Sequence, residues 1–263
     1  MNFTPIDTLD IPALTIYRHL RDNAVTADNS FIADSPKVVN LLLQSPVEVR
    51  SILATREYYE SFGHLIRPKK IPRLYVADRK LMETIVGHKV HNNVMMHGVR
   101  PAETPLGELG ERIVMLDLLS KSENVGSIAR SAAALGIDSL ILPRSGPHPY
   151  GRRALRVSMG YVSRLKTHLY NDIFETLERL KQKGYRIFAA EVTEDATPLM
   201  EVKVPGRWVL LMGNEHHGLS PELLALCDET VRIEMAEGVE SFNVGVAASI
   251  LIYQLRNRCM PPL

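Results

Sequence analysis

The chain is poor in the features that build staples, metal clusters and membrane spans. Only two of its 263 residues are cysteine, Cys227 and Cys259, and they form no CxxC pair. That excludes a disulfide framework and a cysteine zinc site, and a reducing compartment is the simplest setting. The longest uncharged stretch, Ser241 to Leu255, falls short of the ~20 apolar residues a bilayer span needs. The opening MNFTPIDTLDIPA lacks a basic and an apolar signal region, so the expectation is a cytoplasmic protein with no membrane partner. No GxGxxG follows a strand, no GxxxxGK[ST] is present and no HExxH occurs, which disfavours a Rossmann dinucleotide site, a P-loop and a zincin. His88, His91 and His97 have no acidic ligand pattern near them, so no metal is expected. Charge of one sign is also missing: 31 basic residues face 30 acidic ones, a net +1. A nucleic-acid partner would have to be met by a local basic face.

What is present is ordinary globular material, 45% hydrophobic and 23% charged, in a chain long enough for two small domains. Residues 1–30 are mixed, with one short helix expected near Ile16–Asp22. Alternation then begins. Phe31–Asp34 reads as a strand, and Pro36 opens a helix through Leu42. Val47–Leu53 reads as a strand and Arg56–Gly63 as a helix closed by its glycine. Leu74–Ala77 is a third strand, followed by a helix capped by Asp78. This βαβαβ rhythm suggests a small α/β domain ending near Pro101. The Pro- and Gly-containing segment Arg100–Leu109 reads as a linker. The expected division is 1–105 and 106–263, both α/β.

Three blocks in the second half sit at strand-to-helix transitions. The first, Ser122-Glu-Asn124-Val-Gly126-Ser-Ile-Ala-Arg130, follows the apolar run IVMLDLL. Ser120 and Glu123 have capping-box spacing, and Gly126 and Arg130 share a helix face. The second runs from Trp208 through Met212, Gly213, Asn214 and Glu215 to Gly218-Leu-Ser220-Pro221-Glu222. Ser220, Pro221 and Glu222 read as N-cap, first helical residue and favourable acidic first turn. Strand ends of open α/β sheets are where ligands bind, so Asn214 and Glu215 are expected to face a crevice. The third runs from Ile233-Glu234-Met235 to Ser241-Phe242-Asn243-Val244, then GVAASILIYQL. That last helix is apolar on most sides, which predicts packing against a second chain as well as the sheet. Ser241 or Asn243 would cap it. Taken singly, each block also reads as a capped connection with nothing bound.

Together the blocks are far more specific. Asn-x-Gly-x-x-x-Arg, Gly-Asn-Glu-x-x-Gly-Leu-Ser and Ile-x-Met…Ser-x-Asn-Val, in this order, resemble the SpoU/TrmH family of RNA 2′-O-methyltransferases of the SPOUT class. The stretch Arg152-Arg-Ala-Leu-Arg156-Val-Ser158-Met159-Gly160 resembles that family too. The resemblance covers about residues 110–258. It implies a SPOUT-type α/β domain with a trefoil knot, a homodimer, S-adenosylmethionine as cofactor and RNA as substrate, rRNA before tRNA. It also implies that Gly213, Ile233 and Phe242 contact the cofactor, with Met212, Met235 and Val244 lining an apolar slot for adenine. Asn124, Arg130, Glu215, Ser241 and Asn243 match the positions that shape the catalytic centre. The first hundred residues resemble the family's accessory RNA-binding domain of the L30e type. Three positions depart from the usual pattern: Glu234 for proline, Phe242 for leucine and Gly245 for serine.

Two basic clusters are candidates for phosphate contact. One is Arg67, Lys69, Lys70 and Arg73; the other, expected to face RNA, is Arg144, Arg152, Arg153 and Arg156. The alternative to an enzyme is a non-catalytic RNA-binding or ribosome-assembly protein that retains the fold.

Overall fold

The computed structural model describes residues 1–6, 8, 11–18 and 28–259. The chain divides into two compact units: Met1–Ala102 with His148–Ser163, and Glu103–Pro147 with Arg164–Leu263.

The first unit holds α1 (Thr15–Arg18), β1 (Ser30–Asp34), α2 (Pro36–Leu43), β2 (Glu48–Ala54), α3 (Arg56–Ile66), β3 (Arg73–Val76), α4 (Arg79–Val86) and β4 (Val94–Val99). The helix expected at Ile16–Asp22 is described only as α1, and the rest of it lies outside the described residues. Asp78 caps α4 as expected, its Oδ1 accepting from the Leu81 N–H at 2.7 Å. Gly63 does not end α3. It lies buried, and the helix runs on to Ile66 because Tyr58, Tyr59 and Ile66 keep one face in the core. The strand β4 escaped the sequence reading, and it changes the sheet. The order is β1-β4-β2-β3, with β4 antiparallel to both β1 and β2. Leu14, Tyr17, Ile32, Leu53, Tyr75, Met82 and Met95 form the core beneath it.

The 148–163 segment belongs to this unit, although the contiguous boundary at residue 105 kept it with the second. Its helix, numbered α6 (Arg152–Val157) in chain order, packs on β1. Arg152 reaches the buried Asp34 at 2.7 Å, and Tyr150 lies against Phe31 with ring centroids 5.2 Å apart.

The second unit is a seven-stranded, wholly parallel sheet in the order β7-β6-β5-β10-β8-β11-β9. In chain order it comprises β5 (Arg112–Leu116), α5 (Ser122–Ala134), β6 (Ser139–Pro143), β7 (Lys166–Tyr170), α7 (Ile173–Gln182), β8 (Arg186–Ala190), β9 (Thr197–Pro198), β10 (Trp208–Met212), α8 (Pro221–Leu226), β11 (Glu229–Arg232) and α9 (Val244–Cys259). Every residue of β10 is buried, which is why Trp208-Val-Leu-Leu-Met212 reads as a continuous apolar run without alternation. The expected linker is partly structural: Leu106 and Leu109 are buried in the same core as Ile113, Leu180, Ile187 and Leu211.

After β11 the chain returns so that α9 packs along α5 and touches β10. Gly245 makes that approach close, since a Cβ there would lie 2.9 Å from Ser127 Oγ. Ser131 and Ser249 hydroxyls meet at 2.7 Å farther along the pair. Ala248, Leu251, Ile252 and Leu255 are buried, but Val246 and Tyr253, seven residues apart, are 48% and 56% exposed. The chain alone therefore leaves one apolar stripe of α9 uncovered. Among the described residues no helix is long and apolar enough to cross a membrane, and no group of acidic, histidine or cysteine side chains is arranged to hold a metal.

Candidate active site

The carboxyl ends of β8, β10 and β11 open into a cleft of about 880 Å³. Its walls come from the loops after β5, β8, β10 and β11 and from the start of α9. The loop after β10 is built by its own motif. Asn214 Oδ1 accepts from the His216 and His217 N–H groups at 2.8 and 3.3 Å, and its Nδ2 donates to the Leu118 carbonyl at 2.7 Å. Backbone bonds between Asn214 and Gly218 run both ways and close the loop. Gly213 is required by this closure: a Cβ would lie 2.5 Å from the Gly218 carbonyl carbon. The close backbone approach at Gly213 is thus made by the loop itself. Gly218 has φ +63° and no room for a Cβ beside the Glu191 carboxylate. That carboxylate accepts from the Leu219 N–H at 2.9 Å and pins the loop to the end of β8.

Glu215 leaves this loop to hold the start of α5. One carboxylate oxygen accepts from the Ser120 N–H at 2.9 Å and its hydroxyl at 3.1 Å. The other accepts from the Lys121 N–H at 3.2 Å and Asn124 Nδ2 at 2.8 Å. The capping box expected from Ser120 and Glu123 is therefore not formed; the N-cap position is Lys121, without a side-chain bond, and Glu215 supplies the anion from across the sheet. Burial raises the Glu215 pKa, but the bonds from Ser120, Asn124 and Lys121 outweigh it and hold the carboxyl at about 2. It is ionised at neutral pH and saturated with donors. Asn124 continues the chain: its Oδ1 accepts from Asn243 Nδ2 at 3.2 Å. Asn243 Oδ1 in turn accepts from the Gly245 N–H at 3.0 Å, so Asn243 and not Ser241 caps the first turn of α9.

Three sequence blocks up to 119 residues apart thus meet in one hydrogen-bonded chain, Glu215–Asn124–Asn243. All six residues expected at the cofactor, Met212, Gly213, Ile233, Met235, Phe242 and Val244, line the cleft. So do Asn124, Glu215, Ser241 and Asn243. Arg130 does not. It stands exposed on α5, while Gly126, one turn earlier, is buried against the rest of the unit. Glu234, one of the three departures, is exposed and is not part of the cleft wall. Lys121, Glu191, Val192 and Arg232 line the cleft and were not singled out by motif. Their signal was positional: Arg232 ends β11 and the others follow the ends of β5 and β8, where ligands collect.

This geometry coincides with a family pattern. The sequence profile of the SpoU rRNA Methylase family matches residues 111–253. The chain belongs to that family. Among relatives, an uncharacterised tRNA/rRNA methyltransferase, Mb0905 of Mycobacterium bovis, is 29% identical over 256 residues, covering 93% of this chain and 88% of that protein. The 23S rRNA (guanosine-2′-O-)-methyltransferase RlmB of Acinetobacter baylyi is 29% identical over 188 residues, 68% of this chain and 75% of that one. Two solved structures share the fold along nearly the whole chain. The AdoMet-bound rRNA methyltransferase of Sinorhizobium meliloti superposes with a TM-score of 0.80 at 24% identity, covering 97% of both chains. The SpoU methyltransferase AviRb of Streptomyces viridochromogenes, in complex with AdoMet, gives 0.81 at 22%, covering 94% of this chain and 98% of that one. As a SpoU-family member the chain is an RNA methyltransferase by class.

The basic residues expected at RNA are unequally available. Arg144 is held in a two-pronged pair with Glu103, at 2.7 and 2.8 Å. Arg152 is tied to Asp34. Arg153 and Arg156 are exposed on α6, Arg156 lying 3.9 Å from Asp34. In the other cluster Lys69 donates to the Ser45 and Val47 carbonyls, whereas Arg67, Lys70 and Arg73 stand exposed.

Proposed function

We propose that this chain transfers a methyl group from S-adenosylmethionine to a ribose 2′-hydroxyl of structured RNA, with rRNA as the expected substrate. The observation that carries this reading is the convergence of the three motif loops on one cleft. The cleft suits the cofactor. Its volume lies inside the ~300–1,000 Å³ typical of small-ligand sites. Met212, Met235 and Val244 offer an apolar wall, and Ser241 and Asn243 a polar rim. When bound, S-adenosylmethionine supplies an electrophilic methyl on its sulfonium.

The residues of the chain then have separate tasks. Gly213, Ile233 and Phe242 hold the cofactor against the apolar wall. Glu215 is a positioning residue, because its lone pairs are already occupied and its pKa of about 2 leaves no basicity. Asn124 and Asn243 lock the loops so that the attacking oxygen can be held in line, which is the main contribution to such a transfer. Ser241 faces the open cleft and contacts substrate. Arg130 binds the ribose oxygen or its phosphate and stabilises the developing alkoxide; a guanidinium is too weak a base to take the proton. A phosphate oxygen or water takes it.

The single chain keeps Arg130 away from its own cleft, so the reading includes a homodimer in which a second copy completes the site. The uncovered stripe of Val246 and Tyr253 on α9 supports that assembly. The return of α9 past β10 to α5 is the passage at which the trefoil knot of the SPOUT class would form. The first unit, with exposed Arg67, Lys70, Arg73, Arg153 and Arg156, is read as the accessory RNA-binding part. The test is methyl transfer from labelled S-adenosylmethionine to RNA from cells lacking the gene, followed by digestion to nucleosides. Label on a ribose oxygen is expected. Cofactor binding without transfer to any RNA would favour the non-catalytic alternative.

A further inference from the structure

A second cleft opens at the carboxyl ends of β5, β6 and β7, on the other half of the same sheet edge. It measures about 470 Å³, and Asp117, Leu118, Pro143, Arg144, Tyr170 and Asn171 are among the residues that line it. Asp117 is its unusual member. It is only 8% exposed. Its Oδ1 accepts from the Tyr170 hydroxyl at 2.9 Å, and its Oδ2 has no partner among the described residues. That oxygen is not sealed from solvent, so it stays open to a donor entering the cleft.

The cleft is wrong for an anion. Arg144 lines it, but both prongs of its guanidinium are spent on Glu103 and its Nε on Asn171 Oδ1. With Arg144 engaged, the open oxygen of Asp117 is the acceptor the cleft offers, and it asks for N–H donors. Leu118 adds an apolar wall. It is 56% exposed and holds φ +48°, a left-handed conformation uncommon for leucine. Such a residue persists only when its surroundings fix it, and the Asn214 amide does so by donating to the Leu118 carbonyl. Leu118 thus stands between the two clefts. Lys121 of the first cleft is three residues on, within ~11 Å of chain. That is a single-nucleotide scale.

We propose that this second cleft holds the base of the nucleotide whose ribose is methylated, and that Asp117 selects guanine. Guanine alone among the common bases presents two adjacent N–H donors on its pairing edge, which a carboxylate can accept together. Leu118 packs on the ring face, and the Asn171 amide N–H₂, without a partner among the described residues, can reach a ring acceptor. The subsite rests on the 2′-O-methyltransferase reading and extends it to the identity of the target.

Asp117→Asn is the direct test. The Tyr170 hydroxyl keeps an acceptor at Oδ1, so the new N–H₂ takes the place of Oδ2 and opposes the donors of guanine. Wild-type protein, labelled S-adenosylmethionine and RNA from cells lacking the gene should give 2′-O-methylguanosine after digestion. D117N should lower kcat/KM for that RNA by about tenfold or more, the range of a lost bidentate base contact. Cofactor affinity by calorimetry should stay unchanged. Leu118→Ala, at an exposed position, should raise KM for RNA and likewise spare cofactor binding. A 2′-O-methyl group on another nucleoside would overturn the guanine assignment. Wild-type kinetics in both D117N and L118A would overturn the subsite. Wild-type protein that labels no RNA, or labels a base atom, would overturn the reading beneath it and the subsite with it.

Discussion

Asn243 donates its side-chain amide to Oδ1 of Asn124 at 3.2 Å, tying the first turn of α9 to the first turn of α5. Asn124 spends its own amide on Glu215. It is the middle link between the loops, so its loss breaks both bonds of that chain, whereas the loss of Asn243 breaks one of them together with the cap on the Gly245 N–H. Asn124→Ala and Asn243→Ala should each cost about 1–3 kcal/mol, read by urea denaturation. The double variant should be less destabilised than the sum of the two. Strict additivity would mean that the Asn124–Asn243 bond contributes nothing.

The Glu215 carboxylate gives the fold a pH signature. Its folded pKa, about 2, lies below the ordinary 4.5. A depressed carboxyl stabilises the folded state above its unfolded pKa, and that stabilisation fades as pH falls toward the folded value. Wild type should therefore exceed Glu215→Gln in stability at neutral pH. The gap should close as pH drops from about 4.5 toward 2. A gap that stays constant over this window would show that the charge is not what ties the β10 loop to α5.

Gly213 tests whether the loop is preformed. A methyl group at this position meets the Gly218 backbone at 2.5 Å, and backbone cannot rotate away as a side chain can. Gly213→Ala should destabilise by about 1–3 kcal/mol, as overpacking does. It should also weaken S-adenosylmethionine binding in calorimetry, because Asn214 and Glu215 move with the loop. Unchanged affinity would place the cofactor elsewhere.

Much of this was legible because the informative residues are local constraints. The run Trp208–Met212, the Ser220–Pro221 helix start and the glycine pair of the β10 loop each follow from backbone rules that act within a few residues. What sequence could not show is where a side chain goes after it leaves its own loop. Glu123 has the spacing of a cap, yet Glu215, about ninety residues on, takes that place. Glu191 carries no motif at all and still shapes the Gly218 turn. The strand β4 was hidden for a related reason. Val94–Val99 is a short run whose meaning lies in its insertion, antiparallel, between β1 and β2. The resemblance supplied a list of residues, and the hydrogen bonds sort that list into those that hold loops and those left free for substrate.

In the proposed homodimer, Arg130 is the residue that the second copy would supply. In the isolated chain it is exposed and does not line the cleft that Asn124, six residues earlier, does line. Arg130→Ala should cut turnover strongly and leave cofactor affinity nearly intact; a variant with wild-type rate would reject its role. The proposed dimer makes a sharper prediction. If Arg130 of one copy serves the cleft of the other, mixing inactive R130A with inactive N243A creates hybrids with one complete site: an R130A cleft that still has its Asn243, supplied with Arg130 by the partner. Random exchange in a two-fold dimer should restore up to about a quarter of wild-type activity. Tyr253→Asp, on the open stripe of α9, should dissociate the dimer in sedimentation and abolish turnover together. Mixtures that stay inactive although hybrids form would confine Arg130 to its own chain, and a wild-type protein that sediments as a monomer would remove the second copy altogether.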